Sequence, residues 1–263
     1  MSNPSATQDQ YLRSYKRKIY FIHFARIATL LFFLLLWELA SHFAWIDSFF
    51  FSSPSQIAVC FWNMVLDHSI FFHIGITLYE TLFSFFLVSV FSLLIVILLW
   101  FSKTLSKILE PFLVVLNSLP KSALAPLLIV WLGATQTTII VAGMSVAIFG
   151  SILNLYTNFS SVDPESLKLI YTLGGNKLQA MYKIVIPSCV PAIISNMKVN
   201  IGLCLVGVII GEFLAARNGL GYLIIYSSQV FKLDWLLMSI VLLCMMAMGL
   251  YTLINLLEKK YQK

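Results

Sequence analysis

Long apolar runs separated by short polar intervals dominate the hydropathy pattern of this chain. Several runs approach or exceed the roughly 20 residues that a helix needs to cross a bilayer, and none alternates as the strands of a barrel do. The runs that we predict to be membrane spans cover residues 27–45, 75–100, 109–131, 137–156, 190–214 and 235–257. The pattern therefore predicts an all-α polytopic membrane protein with about six transmembrane helices.

The composition supports the same class of protein. Hydrophobic residues make up 60% of the chain and charged residues 11%, whereas soluble domains carry about 25% charged residues. The net charge of +6 comes from basic residues in short loops beside apolar runs, which is typical of membrane topology signals rather than of nucleic-acid binding. We therefore expect a lipid bilayer around the chain and no nucleic-acid partner. The four cysteines show no metal-binding spacing.

The distribution of lysine and arginine predicts the orientation in the membrane. With a cytoplasmic N-terminus, thirteen of these residues fall inside and two, Arg217 and Lys232, fall outside, as the positive-inside rule requires. The thirteen are Arg13, Lys16, Arg17, Lys18, Arg26, Lys103, Lys107, Lys168, Lys177, Lys183, Lys259, Lys260 and Lys263. The predicted segments are a basic cytoplasmic N-terminus (1–26), an anchor helix with an outside loop (27–72), a membrane domain (73–257) and a cytoplasmic tail (258–263).

The long polar interval at residues 163–187 carries the signals of two short helices. Asp163 and Pro164 are typical of a helix start, Gly174-Gly175 of a stop, and Asn176 of a second start. After Asn176, apolar residues recur at helical spacing, which predicts a docking stripe against the membrane or another protein. The stripe consists of Leu178, Met181, Tyr182 and Val185.

The spacing in this interval resembles the cytoplasmic motif of bacterial ABC-importer permeases, which reads E-A-A, three residues, G, nine residues, I-x-L-P. Gly174 and the run from Ile184 to Pro187 match the second half in register. The run from Lys168 to Ile170 stands at the E-A-A positions, and the nearest acid, Glu165, lies three residues early. A plain helix-turn-helix linker is the alternative interpretation.

Three further stretches match one branch of that family in the same order. His73 is followed by Thr77-Leu78, residues 116–133 contain P-K-S-A-L-A-P-L and W-L-G, and residues 211–223 contain E, six residues and G-L-G-Y-L. These resemble the permeases for nitrate, sulfonates, taurine and thiamine precursors. The resemblance implies the type I ABC-importer transmembrane domain within residues 73–257.

The resemblance also implies what the chain does and with what. It implies a permease that moves a small polar solute, anionic in some members, by alternating access. No glycine is followed by lysine, so a Walker A loop is absent and this chain cannot bind ATP in that manner. The resemblance implies that ATP and Mg bind a cytoplasmic ABC ATPase dimer, and that this chain is a transport subunit without a cofactor and not an enzyme. A solute-binding protein outside and a second permease copy, as a homodimer, would complete the importer in the bacterial cytoplasmic membrane. The residues implied to couple to the ATPase are Glu165, Lys168, Gly174, Gly175, Ile184 and Pro187.

Candidates for the translocation pathway lie in the third and fifth spans. Prolines in the third span must break or kink it, and broken helices can expose polar groups to a cavity without facing lipid. A lysine at membrane depth would attract an anionic solute or pair at an interface. A glutamate near the outer end of the fifth span would cap the helix, line the exit or form an ion pair with Arg217, and the ion pair is the preferred interpretation. The glycines of the fifth span would line the path or, preferably, pack against another helix. The candidates are Pro120, Lys121, Pro126, Gly207, Gly211 and Glu212.

Two other classes stay open at this point. A carrier or channel driven by an ion gradient would need paired ionisable residues at membrane depth and an inverted repeat, and neither is clear in the sequence. A membrane-embedded enzyme would need a nucleophile with its base, or a metal constellation, and no such pattern occurs. Purification in mild detergent separates the classes, because only the importer should bring along an ATPase.

Overall fold

The computed structural model describes residues 6–261, and within that range every regular element is helical. Met1 to Ser5 of the predicted N-terminal segment, and Gln262 and Lys263 of the predicted tail, lie outside the described residues. In chain order the helices are α1 (Ala6–His42), α2 (Ser48–Phe51), α3 (Pro54–Leu66), α4 (Ser69–Phe101), α5 (Lys103–Ser118), α6 (Lys121–Leu132), α7 (Gln136–Ser160), α8 (Pro164–Thr172), α9 (Lys177–Ala215), α10 (Leu220–Gln229) and α11 (Leu233–Tyr261).

Five of these helices are long and apolar enough to cross a membrane. They are α4, α7, α9, the Tyr20–His42 part of α1 and the Leu233–Leu256 part of α11. Helices α5 and α6 pass the same test only as a pair, and they are bent by 96° at the break between them.

The bent pair crosses the bundle once rather than turning back. Ser106, near the start of α5, hydrogen-bonds Tyr156 near the end of α7. Asn117, at the end of α5, lies beside the middle of α7, where a Cβ on Gly150 would be 3.1 Å from Asn117 Oδ1. Helix α6 then leads through residues 133–135 into the start of α7. The pair therefore runs the length of α7 as one broken span, and the prediction of about six spans is confirmed.

Helices α4, α7 and α9 form the centre of the bundle. Ser84 of α4 bonds Ile140 O of α7 at 3.1 Å, and further along the same two helices Val96 packs with Leu155, so that α4 and α7 are parallel. Helix α9 runs antiparallel to them. Small residues allow this close approach, which membrane helices need because lipid supplies no hydrophobic drive between them.

The loops gather at two ends of the bundle. The end that we call the basic end holds residues 101–106 and 160–177, together with the end of α11, where Lys198 of α9 pairs with Glu258. The far end holds residues 43–68, 133–135 and 216–232; there Ser52 Oγ donates to Asp234 Oδ1 at 2.5 Å. Lys103, Lys168 and Lys177 lie on helices within those segments of the basic end, whereas Arg217 and Lys232 lie in loops of the far end.

The structure corrects three details of the predicted elements. The first span starts earlier than residue 27, at Tyr20. The predicted outside loop contains a helix, α3, which Ser53 caps by accepting a hydrogen bond from Gln56 N. Of the three prolines in the third span, Pro120 marks the break, whereas Pro111 and Pro126 lie inside α5 and α6.

Candidate functional site

The glycine elbow, defined as residues 163–187, lies at the basic end. Its first arm, α8, starts at Asp163, whose carboxylate accepts hydrogen bonds from Glu165 N and Ser166 N at 3.0 Å and from Ser166 Oγ at 2.7 Å. These bonds, that of the Ser166 side chain foremost, hold the pKa of Asp163 below its usual value. The cap is therefore charged at neutral pH, and it would be lost only as the pH fell through that lowered pKa.

Two glycines turn the chain at the end of α8, for different reasons. Gly174 has a φ of +79°, a left-handed conformation that glycine adopts without strain. Gly175 N donates to Ile170 O at 2.8 Å, and a Cβ on Gly175 would lie 2.8 Å from that same oxygen. Gly174 is therefore required because of its positive φ, and Gly175 is required because a side chain would collide with Ile170 O.

The second arm of the elbow is the beginning of α9. Asn176 and Gln179 cap each other's backbone, with Gln179 N donating to Asn176 Oδ1 at 2.8 Å and Asn176 N donating to Gln179 Oε1 at 2.9 Å. The helix continues from there through a π turn, Met181–Val185, into the fifth span. The prediction of a separate second short helix is wrong, because no break follows the cap.

The predicted docking stripe is divided between two surfaces. Met181 and Val185 are buried in the core with Val96 of α4. Leu178 and Tyr182 are exposed. Half of the stripe therefore anchors the elbow to the bundle, and the other half is free for a partner.

A groove of about 440 Å³ opens between the two arms of the elbow. Leu173 on its wall is 78% exposed and Leu169 is 62% exposed, and such exposed apolar groups typically mark an interaction site. Of the predicted coupling residues, Gly174, Gly175 and Ile184 line this groove. The others, Glu165, Lys168 and Pro187, are exposed on the same elbow. The elbow thus brings all six together, and their role in coupling stays a prediction.

At the far end, Glu212 joins α9 to α4 and to the first turn of α10. Its Oε1 accepts a hydrogen bond from Thr77 Oγ1 and its Oε2 accepts one from Gly221 N, both at 2.6 Å. Thr77 Oγ1 in turn accepts from Leu220 N at 2.8 Å. We call this arrangement the far-end clamp. Glu212 is 1% exposed, so these internal donors replace the water that a carboxylate would otherwise bind.

Glycine and histidine complete the clamp. Gly219 has a φ of +112°, and its N–H donates to His73 Nδ1 at 3.0 Å. A Cβ on Gly221 would lie 2.7 Å from Glu212 Oε2. The glycines of the G-L-G sequence are therefore needed for the loop to close over the carboxylate.

The predicted ion pair between Glu212 and Arg217 is wrong for the part of the chain that the structure describes, where the one ion pair joins Lys198 and Glu258. Glu212 instead accepts a hydrogen bond from Thr77. In the sequence, these two residues stand out only because each belongs to one of the stretches that resemble the permease family. Glu80, to which sequence reasoning gave no role, is also buried and lies beside Glu212. It borders a polar far-end cavity of about 370 Å³ that reaches Gln136 and Arg217.

The remaining pathway candidates fall into two groups. Gly207 and Gly211 pack on α7: a Cβ on Gly207 would lie 2.8 Å from Ala142 O, and one on Gly211 would lie 3.0 Å from Ile139 Cα. Packing therefore requires both glycines. Pro120 and Lys121 stand at the break of the third span, where Lys121 Nζ donates to Asn117 O, and Pro126 lies one turn further along α6. Whether any of these residues lines a pathway stays a prediction.

Comparison with known proteins identifies relatives of the whole bundle. Residues 89–262 match the family described as binding-protein-dependent transport system inner membrane component. A probable ABC transporter permease protein of Haemophilus influenzae is 25% identical over 230 residues, covering 87% of this chain and 92% of that protein. The putative aliphatic sulfonates transport permease protein SsuC of Bacillus subtilis is 24% identical over 228 residues, covering 87% and 83%. The formylaminopyrimidine transport permease protein ThiX of Halalkalibacterium halodurans is 28% identical over 170 residues, covering 64% and 68%.

A solved structure shares the fold. A crystal structure described as an amino acid ABC transporter with histidines superposes with a TM-score of 0.57 at 19% identity, covering 76% of this chain and 98% of that one. At this identity the likeness concerns the fold alone.

Proposed function

Because this chain belongs to the family of binding-protein-dependent transport system inner membrane components, and is thus a multi-pass permease of an ABC importer, we propose that its glycine elbow couples solute transport to ATP hydrolysis on a partner subunit. The observation that carries this proposal is the shape of the elbow. Two capped arms, turned by glycines, present a partly apolar groove at one end of the bundle. A rigid, exposed and partly apolar surface of this kind suits a lasting protein partner.

The basic end then faces the cytoplasm. Five lysines lie in or beside the segments 101–106 and 160–177 of that end, namely Lys103, Lys107, Lys168, Lys177 and Lys183, whereas Arg217 and Lys232 lie at the far end. An excess of basic residues is expected on the cytoplasmic side of a membrane protein. A dimer of ABC ATPases, which binds ATP and Mg, would dock at the elbows of two copies of this chain. A solute-binding protein would deliver solute to the far end, where the loops between α1 and α4 and between α9 and α11 meet. Closure of the ATPase dimer would move the elbows and switch the bundle between two arrangements.

The solute is proposed as a small polar molecule, of the sulfonate, nitrate, taurine or vitamin-precursor type. Relatives named for aliphatic sulfonates and formylaminopyrimidine support this class. Lys121, at the break of the third span, is the cation that an anionic solute could meet, and the broken backbone at Pro120 offers further polar groups. The polar far-end cavity beside Glu80 is the proposed entry point for the solute.

Replacing Gly174 by valine tests the elbow. A β-branched residue at a positive φ costs on the order of 1–2 kcal/mol, and the chain can relieve this by moving the exposed arm, since a Cβ at Gly174 meets nothing within 4 Å. We expect Gly174→Val to insert in the membrane and unfold at the same temperature as the wild type. Co-purification of the ATPase in mild detergent should fall by about tenfold or more, for a loss of at least about 1.4 kcal/mol of binding free energy.

The matched control is Gly249→Val, the same substitution at an open site within α11, which should retain the ATPase. Unchanged ATPase capture and unchanged uptake in Gly174→Val would contradict the proposal. Transport by the purified chain without any ATPase would instead support a carrier driven by an ion gradient.

A further inference from the structure

Lys177 joins the elbow to the carboxyl end of α4. It is the first residue of α9, directly after the Asn176 cap. Its Nζ donates a hydrogen bond to Phe101 O at 2.6 Å. The same atom lies 5.5 Å from the ring centroid of Trp100 and 5.7 Å from that of Phe101. Trp100 and Phe101 are the last two residues of α4.

Each of these contacts is one that a cation makes better than a neutral group. The last carbonyls of a helix have no partner within the helix, and the helix dipole favours positive charge at that end. The faces of aromatic rings also attract cations, and more strongly once water is excluded. Lys177 therefore caps α4 from outside, by charge as well as by a hydrogen bond.

Lys177 differs in this from the other lysines of the elbow. Among the described residues, the side chains of Lys168 and Lys183 make no hydrogen bond, ion pair or ring contact. Like Lys177, both are exposed. Lys168 is a predicted coupling residue and Lys183 lines the groove of the elbow, so neither is neutral towards the ATPase. Lys107 of α5 is the matched comparison of equal charge at the basic end, because it is also exposed, lies outside the groove and makes no such side-chain contact within the described part of the chain.

Helix α4 connects this contact to the far end. It runs from Ser69 to Phe101 without a proline, and the 24 residue-to-residue steps from Thr77 to Phe101 correspond to about 36 Å of helix. At that distance Thr77 holds Leu220 N and Glu212 in the far-end clamp. A shift of the last turn of α4 is thus carried along one rigid helix to the loop at residues 216–221.

We propose that Lys177 is a positioning residue that makes α4 follow the elbow, so that movement of the elbow by the ATPase changes the far-end clamp. This inference rests on the proposed function of the elbow. Other contacts hold the elbow to the bundle through the buried side chains of Met181 and Val185, so Lys177 is not needed for folding. Its contribution is to link the elbow, which the ATPase moves, to the end of α4.

The test uses the full chain assembled with its partner ATPase in lipid nanodiscs, and it needs no transported solute. Amide hydrogen exchange is measured with and without MgATP at the elbow (residues 164–176) and at the far-end loop (residues 216–221). In the wild type, MgATP should change exchange at both places, by about threefold or more at the far-end loop. In Lys177→Met the elbow should respond as before, while the far-end response falls by about twofold or more; a part remains because α9 itself connects the elbow to Glu212. Lys177→Arg, which keeps the charge and the donor, and Lys107→Met should both keep the full response.

Each other outcome overturns the inference. A far-end response in Lys177→Met equal to that of the wild type would show that α4 does not receive its movement through this residue. Loss of ATPase binding in Lys177→Met would make Lys177 part of the docking surface instead, and an equal fall of the far-end response in Lys107→Met would reduce the effect to surface charge. If the wild-type elbow shows neither ATPase protection nor a response to MgATP, the proposed function itself fails, which is a distinct result.

Discussion

Valine in place of Gly207 is expected to prevent the bundle from closing. A Cβ at this position would lie 2.8 Å from both Ala142 O and Gly143 Cα, and these are backbone atoms that cannot rotate away. Overpacking a core costs about 1–3 kcal/mol when side chains can adjust. Here two central helices must separate, so we expect a loss of about 3 kcal/mol or more, or roughly 10 °C in the unfolding midpoint. Thermal unfolding in detergent, with size-exclusion chromatography, measures it.

The control for Gly207→Val lies on the same helix. A Cβ on Gly202 meets nothing within 4 Å, so Gly202→Val should leave the unfolding midpoint close to that of the wild type. Equal stability of Gly207→Val and the wild type would show that α7 and α9 can part without cost, and the packing explanation of Gly207 would be abandoned.

Removal of the Glu212 carboxylate is expected to have the second large effect. In Glu212→Ala, Gly221 N loses its acceptor and the Thr77 hydroxyl must find another, and each buried polar group left unpaired costs about 1–3 kcal/mol. Removing a buried charge also recovers desolvation energy, but two donors, the Thr77 hydroxyl and Gly221 N, are directed at this carboxylate. We therefore expect a net loss of about 3 kcal/mol, with faster amide exchange in residues 216–221.

Glu110→Ala is the control for this variant, since Glu110 is an exposed acid of α5 and its loss should change stability by less than about 0.5 kcal/mol. If Glu212→Ala is as stable as Glu110→Ala and its far-end loop exchanges at the wild-type rate, then the clamp does not hold the loop. Glu212 would then be left as a pathway candidate alone.

The spans and the elbow could be predicted because their signals are local. Twenty apolar residues in a row specify a membrane helix without reference to the rest of the chain. Asp163, Gly174 and Asn176 each act on the backbone within a few residues, so their types alone indicate where helices begin and end.

The contacts between distant segments could not be predicted in this way. Thr77 and Glu212 are 135 residues apart, and neither residue alone indicates the other. The prediction of one docking stripe was wrong for half of its residues, for a related reason. Apolar residues recur at the same helical spacing whether their face packs on the same bundle, as Met181 and Val185 do, or is exposed to a partner. Likewise, three prolines in one span do not show which will mark the break, since the neighbouring helices decide which bend can be packed.

The two fastenings between α4 and α9 restrict how the bundle can deform. These antiparallel helices are held by Lys177 and Phe101 at the basic end and by Glu212 and Thr77 at the far end. Because hydrogen bonds join them at both ends, α4 and α9 can tilt together or slide past each other slightly, but their ends cannot move apart. A gap wide enough for a solute must therefore open elsewhere, either beside the broken third span or at the interface between two copies. Helices α4 and α9 would then move together as one side of that gap.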